Sequence, residues 1–185
     1  MRVFINPGHA LGGHPDPGAV NHALGIRECD IAMTVGSLAA KFLSLAGHEV
    51  RLLQSDNLMG ESSGPNVTAQ ANAWAAEAFV SIHCNAANGR ARGAETYCWT
   101  FGGAGERLAA SIQRKVWETL AAADGAFPDR GVKARQDLCV LRVTRMPAAL
   151  TELAFVDHPG DAKLLMSYGE ELGKAIAEGV TEFCG

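Results

Sequence analysis

Ala78-Phe79-Val80-Ser81-Ile82-His83-Cys84 is a nearly unbroken apolar run of strand length. A strand that is apolar on both sides is covered on both sides, which is the pattern of a central strand in a parallel sheet. A second run of the same kind is Ala148-Ala149-Leu150-Thr151-Glu152-Leu153-Ala154. Working outward, residues 2–5 read as a short strand closed by the turn Asn6-Pro7-Gly8, and residues 50–53, 93–99 and 139–141 read as further strands. From about Glu28 the apolar residues Ile31, Val35, Leu38, Phe42 and Leu45 recur at helical spacing, with Gly47 placed as the stop. Residues 66–77, the series Leu108, Ile112, Val116 and Leu120, and the series Leu172, Ile176, Val180 and Phe183 predict three more helices. Residues 10–27 and 55–65 are rich in Gly, Pro, Ser and Asn and read as loops. Strands alternating with helices predict a three-layer α/β sandwich. With no internal repeat or linker, the 185 residues predict a single domain spanning 1–185.

The composition excludes several classes of function. At 48 % hydrophobic and 19 % charged the chain is ordinary for a folded protein, with no disordered or low-complexity bias. A formal charge of −4 and no run of Lys and Arg remove the electrostatic term that dominates nucleic-acid binding, so no nucleic-acid partner is expected. No stretch reaches the roughly 18 apolar residues of a membrane span, and the start Met1-Arg2-Val3-Phe4-Ile5-Asn6 turns polar too soon for a signal peptide. The five cysteines show no CxxC pair and sit mostly in apolar segments, which predicts free thiols and synthesis in a reducing cytoplasm.

In α/β sheets functional groups collect beyond the carboxyl ends of strands. His9 follows the first strand, His83 ends the central run, and Glu28 opens the helix that the first loop feeds. Two imidazoles and a carboxylate are a common ligand set for catalytic zinc. Spacing alone does not select His9 over His14 or His22 in the same loop. Glu152 stands apart, because a carboxylate inside an apolar strand costs several kcal/mol if buried unpaired and so needs a cation, a metal or a catalytic task.

Ile5-Asn6-Pro7-Gly8-His9, Pro15-Asp16-Pro17-Gly18-Ala19, Glu28, Val80-Ser81-Ile82-His83-Cys84-Asn85-Ala86, Gly93-Ala94-Glu95-Thr96-Tyr97 and Pro147-Ala148-Ala149-Leu150-Thr151-Glu152-Leu153-Ala154-Phe155, in that order, resemble the motifs of the zinc-dependent N-acetylmuramoyl-L-alanine amidases of the amidase-3 type. The resemblance runs from residue 2 to about residue 183. It implies a zinc exopeptidase/amidase-like α/β fold with a mixed, mostly parallel sheet and helices on both faces. It also implies a zinc ion held by His9, Glu28 and His83, a catalytic role for Glu152, and peptidoglycan as substrate, cut at the amide between N-acetylmuramic acid and L-alanine. Asn85, next but one to His83, is a candidate for orienting substrate. Two positions depart from the family pattern: Asn66 to Gln70 hold no Arg before Ala71-Asn72, and His158 stands where Asn is usual.

Other readings are a zinc peptidase acting on another amide and a non-catalytic peptidoglycan-binding module. A cysteine hydrolase is disfavoured because Cys84 follows His83 on a strand, which puts the two side chains on opposite faces. Gly102-Gly103-Ala104-Gly105 lacks the pattern of a dinucleotide loop. A wall-acting enzyme without an export signal predicts an endolysin made in the cytoplasm and released by a separate pore, or else the catalytic domain of an exported protein.

Overall fold

In the computed structural model, which describes residues 1–185, the central run is β5 (Ala78–Asn85), flanked by β1 (Arg2–Pro7) and β8 (Ala148–Phe155). The sheet is completed by β4 (Glu49–Leu52) beside β1, and by β6 (Ala94–Cys98) and β7 (Asp129–Ala134) beside β8. The order is β4-β1-β5-β8-β6-β7. All neighbours are parallel except β6 and β8, so the first four strands run one way and the last two the other. The expected mixed, mostly parallel sheet is observed.

Alternation along the strands separates two cores. Val3 and Ile5 of β1, Val80, Ile82 and Cys84 of β5, and Ala149 and Leu153 of β8 face the larger cluster. That face is covered by α1 (Glu28–Leu45), α3 (Ala104–Ala123) and α6 (Gly169–Cys184), with Leu164 and Leu165 of α5 (Pro159–Ser167) at its margin. Phe4, Phe79, Tyr97 and Leu150 face the smaller cluster, under α2 (Val67–Ala73) and α4 (Cys139–Val143). Phe4 and Phe79 stack there with centroids 5.7 Å apart. Helices on both faces make the three layers.

The smaller cover is short, and this opens the site. Along β5 the residues on the α2 side are Phe79, Ser81 and His83; Phe79 is enclosed in the core, Ser81 is still fully buried and bonds Asn6 Oδ1 at 2.9 Å, and the His83 side chain is 21 % exposed. The sheet therefore runs out from under its helices just where the ends of β1, β5 and β8 meet. No helix of the protein is long and apolar enough to cross a membrane.

Several local expectations are corrected. The segment expected as a strand at 139–141 is helix α4, with Leu138 as its N-cap and Val140 and Leu141 buried. A three-residue apolar run fits either element, and the strand position beside β6 is taken by β7 instead. That strand, Asp-Arg-Gly-Val-Lys-Ala, carries the charge of an edge strand and so lacks the apolar signature of the central ones. The helix expected over 66–77 covers only Val67–Ala73, because Ala75 takes a positive φ of 52° to turn the chain into β5. The loop at 10–27 contains a 3-10 turn at Leu11–Gly13 and a small antiparallel pair, β2 (Val20–Asn21) with β3 (Ile26–Arg27). Helix α5 has no counterpart in the sequence reading.

Candidate metal centre

The three residues that spacing could not single out are brought together. His9 lies just beyond β1, Glu28 begins α1, and His83 is near the end of β5, and one donor atom from each lies within 4.8 Å of the others. His14 and His22 are not in the cluster. Glu28 is 4 % exposed and is the hub. Its Oε1 lies 2.9 Å from His9 Nε2 and 3.0 Å from His83 Nδ1, and accepts the Cys84 backbone N–H at 2.9 Å. Its Oε2 accepts the Ala19 N–H at 2.8 Å.

The loop is folded around these atoms. Asp16 comes back to His9, placing Oδ2 2.8 Å from Nδ1, while Asp16 Oδ1 accepts from the Gly18 N–H at 3.0 Å. That contact leaves Nε2 as the His9 nitrogen turned toward Glu28 and His83, as an outer carboxylate does for a metal-binding imidazole. Gln54 clamps the base of the loop by donating to the Gly8 and Cys29 carbonyls, both at 2.9 Å. Two glycines are required by proximity. A Cβ on Gly8 would stand 2.3 Å from His83 Cε1, and one on Gly18, at φ +68°, would stand 2.5 Å from His9 Cδ2 and 2.6 Å from Glu28 Oε2. His9 itself has a φ of 68°, a conformation costly for a residue with a side chain and tolerated where surrounding structure enforces it.

The donor set fits a metal ion. His9 Nε2 is buried and, although close to Glu28, is out of alignment for a hydrogen bond and has no partner. Burial alone would push the Glu28 carboxyl up, but the His83 hydrogen bond and the charges of the close His83 and His9 rings outweigh it and hold it well below the usual carboxylate range. Burial likewise pulls the His9 imidazole down, yet Glu28 and Asp16 reverse this and raise it to about 9. The cluster therefore favours positive charge at its centre, which a metal cation held by these three donors would supply.

Glu152 sits beside the cluster. It is paired in register with His83 on β5 and with Glu95 on β6, so the three side chains form a row on one face of the sheet. Glu152 Oε2 is enclosed and without a hydrogen-bond partner. Burial raises this carboxyl to about 7, with the charges of Glu28 and Glu95 adding to the effect and that of His83 opposing it. Cys84 points the other way, into the larger core, and burial pushes its thiol well up, which leaves no thiolate for chemistry.

Glu95, in the Gly93-Ala94-Glu95-Thr96-Tyr97 motif, has no role assigned by the sequence. It is 3 % exposed, accepts from Asn85 Nδ2 at 2.7 Å and Tyr97 Oη at 2.8 Å, and pairs with Arg130 Nε at 3.0 Å and with Lys133 Nζ. The buried-charge argument that picks out Glu152 applies equally to this glutamate. Asn85 thus has its amide nitrogen committed to Glu95. His158 caps α5, its Nδ1 accepting from the Asp161 N–H at 3.2 Å. Asp161, fully buried, receives Arg92 Nε and the Gly93 N–H, both at 2.9 Å. The residues missed by sequence, Asp16, Gln54 and Asp161, act through partners 7 to 69 positions away, for which no local pattern exists.

The same chain is similar to known proteins over nearly its whole length. It is 33 % identical over 184 residues to the sporulation-specific N-acetylmuramoyl-L-alanine amidase of Bacillus subtilis, which covers 98 % of this chain and 68 % of that protein. It is 36 % identical over 167 residues to the N-acetylmuramoyl-L-alanine amidase CwlM of Bacillus licheniformis, covering 90 % of this chain but 61 % of the relative. The solved structure of the N-acetylmuramoyl-L-alanine amidase AmiC2 of Nostoc punctiforme superposes with a TM-score of 0.83 at 27 % identity, covering 100 % of this chain and 97 % of that one. Residues 3–182 match the amidase-3 family, described as N-acetylmuramoyl-L-alanine amidase, and the chain belongs to that family.

Proposed function

We infer that this protein is a zinc-dependent amidase that hydrolyses the bond between N-acetylmuramic acid and L-alanine in peptidoglycan. The observation that carries the reading is the row formed by the His9, Glu28 and His83 cluster with Glu152, whose enclosed Oε2 has no hydrogen-bond partner, alongside it. Family membership supports the bond, and the His, His, carboxylate donor set supports zinc with a position left open. When bound, zinc polarises the scissile carbonyl and acidifies water.

The chain's own residues do the rest. His9, Glu28 and His83 hold the metal, and Asp16 fixes the orientation of His9. Glu152 takes a proton from the attacking water and delivers it to the departing alanine nitrogen. Burial pushes this carboxyl up, with the charges of Glu28 and Glu95 adding to the effect, and a carboxyl held above its ordinary range suits a group that must both accept and release a proton. Asn85 orients substrate through Oδ1, which accepts no hydrogen bond from the protein while Nδ2 is held by Glu95. Partial exposure of His9 and His83, 20 % and 21 %, suits a site that must admit a polymer.

The test is digestion of purified peptidoglycan by the zinc-loaded protein, by Glu152→Gln and after chelation, with mass analysis of the fragments. Stem peptides beginning in free L-alanine, released only by the zinc-loaded wild type, are expected. Glu152→Gln keeps zinc and loses about 10²- to 10⁴-fold in turnover. Fragments cut between amino acids would replace the amidase reading with a peptidase one, and zinc binding without any cleavage would favour a binding module.

A further inference from the structure

The row His83, Glu152, Glu95 does not end at Glu95. The next strand, β7, contributes Arg130 and Lys133, and both cations pair with the same buried carboxylate. A bulge between Ala94 and Thr96 shifts the β6–β7 register here. Arg130 is further fixed by the ring of Phe155 at the end of β8, with its guanidinium carbon 5.1 Å from the centroid.

Two features distinguish this pair from the other arginine contacts on the surface. First, the charges do not cancel. Arg27, Arg114 and Arg135 each meet carboxylates of their own, and Arg92 meets both Asp124 and Asp161. At β7 two cations pair with the one carboxylate of Glu95, and Glu152, the next carboxyl along the row, makes no ion pair with either. Second, the donors are not used up. Arg130 gives only Nε to the protein, leaving both terminal amino groups free, and Lys133 gives one bond. Their side chains are 34 % and 42 % exposed, so those donors are open to solvent. A free guanidinium edge with a nearby ammonium is matched to a carboxylate.

Position sets which carboxylate. Adjacent strands lie about 4.8 Å apart, so β7 is roughly 10 Å from Glu152 across the sheet. The Arg130 and Lys133 side chains reach back toward Glu95 and shorten that gap. Because both cations meet Glu95, a single strand spacing of about 4.8 Å from Glu152, one residue's advance of about 3.3 Å together with its side chain carries an acidic group from the alanine nitrogen at Glu152 to them. We propose that Arg130 and Lys133 form a carboxylate-binding subsite that holds an acidic group on the second residue of the stem peptide, with Glu95 anchoring both cations. The stem then lies across the sheet from the metal cluster toward the β7 edge, perpendicular to the strands.

This subsite rests on the amidase reading, and the experiment separates the two. Two muramoyl peptides are compared that differ only in whether the carboxylate of the second residue is free or amidated, using zinc-loaded wild type, Arg130→Gln and Lys133→Gln. The wild type is expected to favour the free acid by about tenfold in kcat/KM, mainly through KM, and each variant to bring the ratio toward one. A wild-type ratio near one overturns the subsite without needing any variant to fold. Variants that slow both peptides alike while keeping the preference also overturn it, because that is the signature of a purely structural ion pair behind Glu152. Failure of the wild type to cleave either peptide at the muramoyl bond instead overturns the amidase reading itself.

Discussion

Replacing Gly18 by alanine tests the geometry of the proposed zinc site without removing any ligand. The added Cβ would stand 2.5 Å from His9 Cδ2 and 2.6 Å from Glu28 Oε2, whereas ordinary contacts begin at 3.4 Å. Relief requires the ligands or the loop to move by about 0.9 Å, and metal–ligand distances tolerate only about 0.2 Å. Affinity for zinc should therefore fall by about 100-fold, the upper end of what losing an outer-sphere partner of a ligand costs. Backbone strain adds a separate term, because φ is +68° and a residue with a Cβ pays about 1–2 kcal/mol there. Gly25 provides the matched control: its φ is +66°, and nothing lies within 4 Å of its Cβ position. Gly25→Ala should lose similar stability to strain and keep its zinc affinity. The assay is competition for zinc against a chromophoric chelator, with urea unfolding of the metal-free proteins alongside. Equal zinc affinity in Gly18→Ala and Gly25→Ala would refute the assignment of His9 and Glu28 as joint ligands.

Further outcomes follow from the same contacts. Asp16→Ala removes the partner of His9 Nδ1 and should weaken zinc binding by about 10- to 100-fold with little change in unfolding midpoint, read by the same competition. Glu95 is governed by the opposing effects of burial, which raises its carboxyl, and of Lys133, Tyr97, Arg130 and Asn85, which together hold it down at about 2. A depressed folded-state value means that its stabilisation is complete above the ordinary carboxylate range near 4.5 and is lost as pH falls toward 2. Glu95→Gln should accordingly flatten the acid limb of unfolding free energy against pH between those values, and an unchanged limb would show that the network contributes nothing.

The central strands, the helix beginning at Glu28 and the alternating order of elements were legible because burial on both faces and helical amphipathicity are local, periodic properties. Glu152 was legible for a related reason, since a charge within an apolar run is conspicuous whatever lies around it. His9, Glu28 and His83 were reached through their motifs rather than through spacing, which left His14 and His22 equally eligible. Only the folded loop decides among them. Asp16, Ala19 and Gln54 hold His9 and Glu28 in place through contacts that a one-dimensional pattern does not encode. Strand β7 carries no apolar signature because an edge strand is polar, and the short apolar run of α4 fits strand and helix alike because three residues carry no period. Periodicity and composition alone establish which segments must be buried and which charge needs an explanation. The tertiary structure alone decided that three distant donors meet within 4.8 Å and that Glu152 and Glu95 share one row. The first arises from the way the loop after β1 folds back on the start of α1 and the end of β5, the second from strand register across the sheet, and both join residues far apart in the chain.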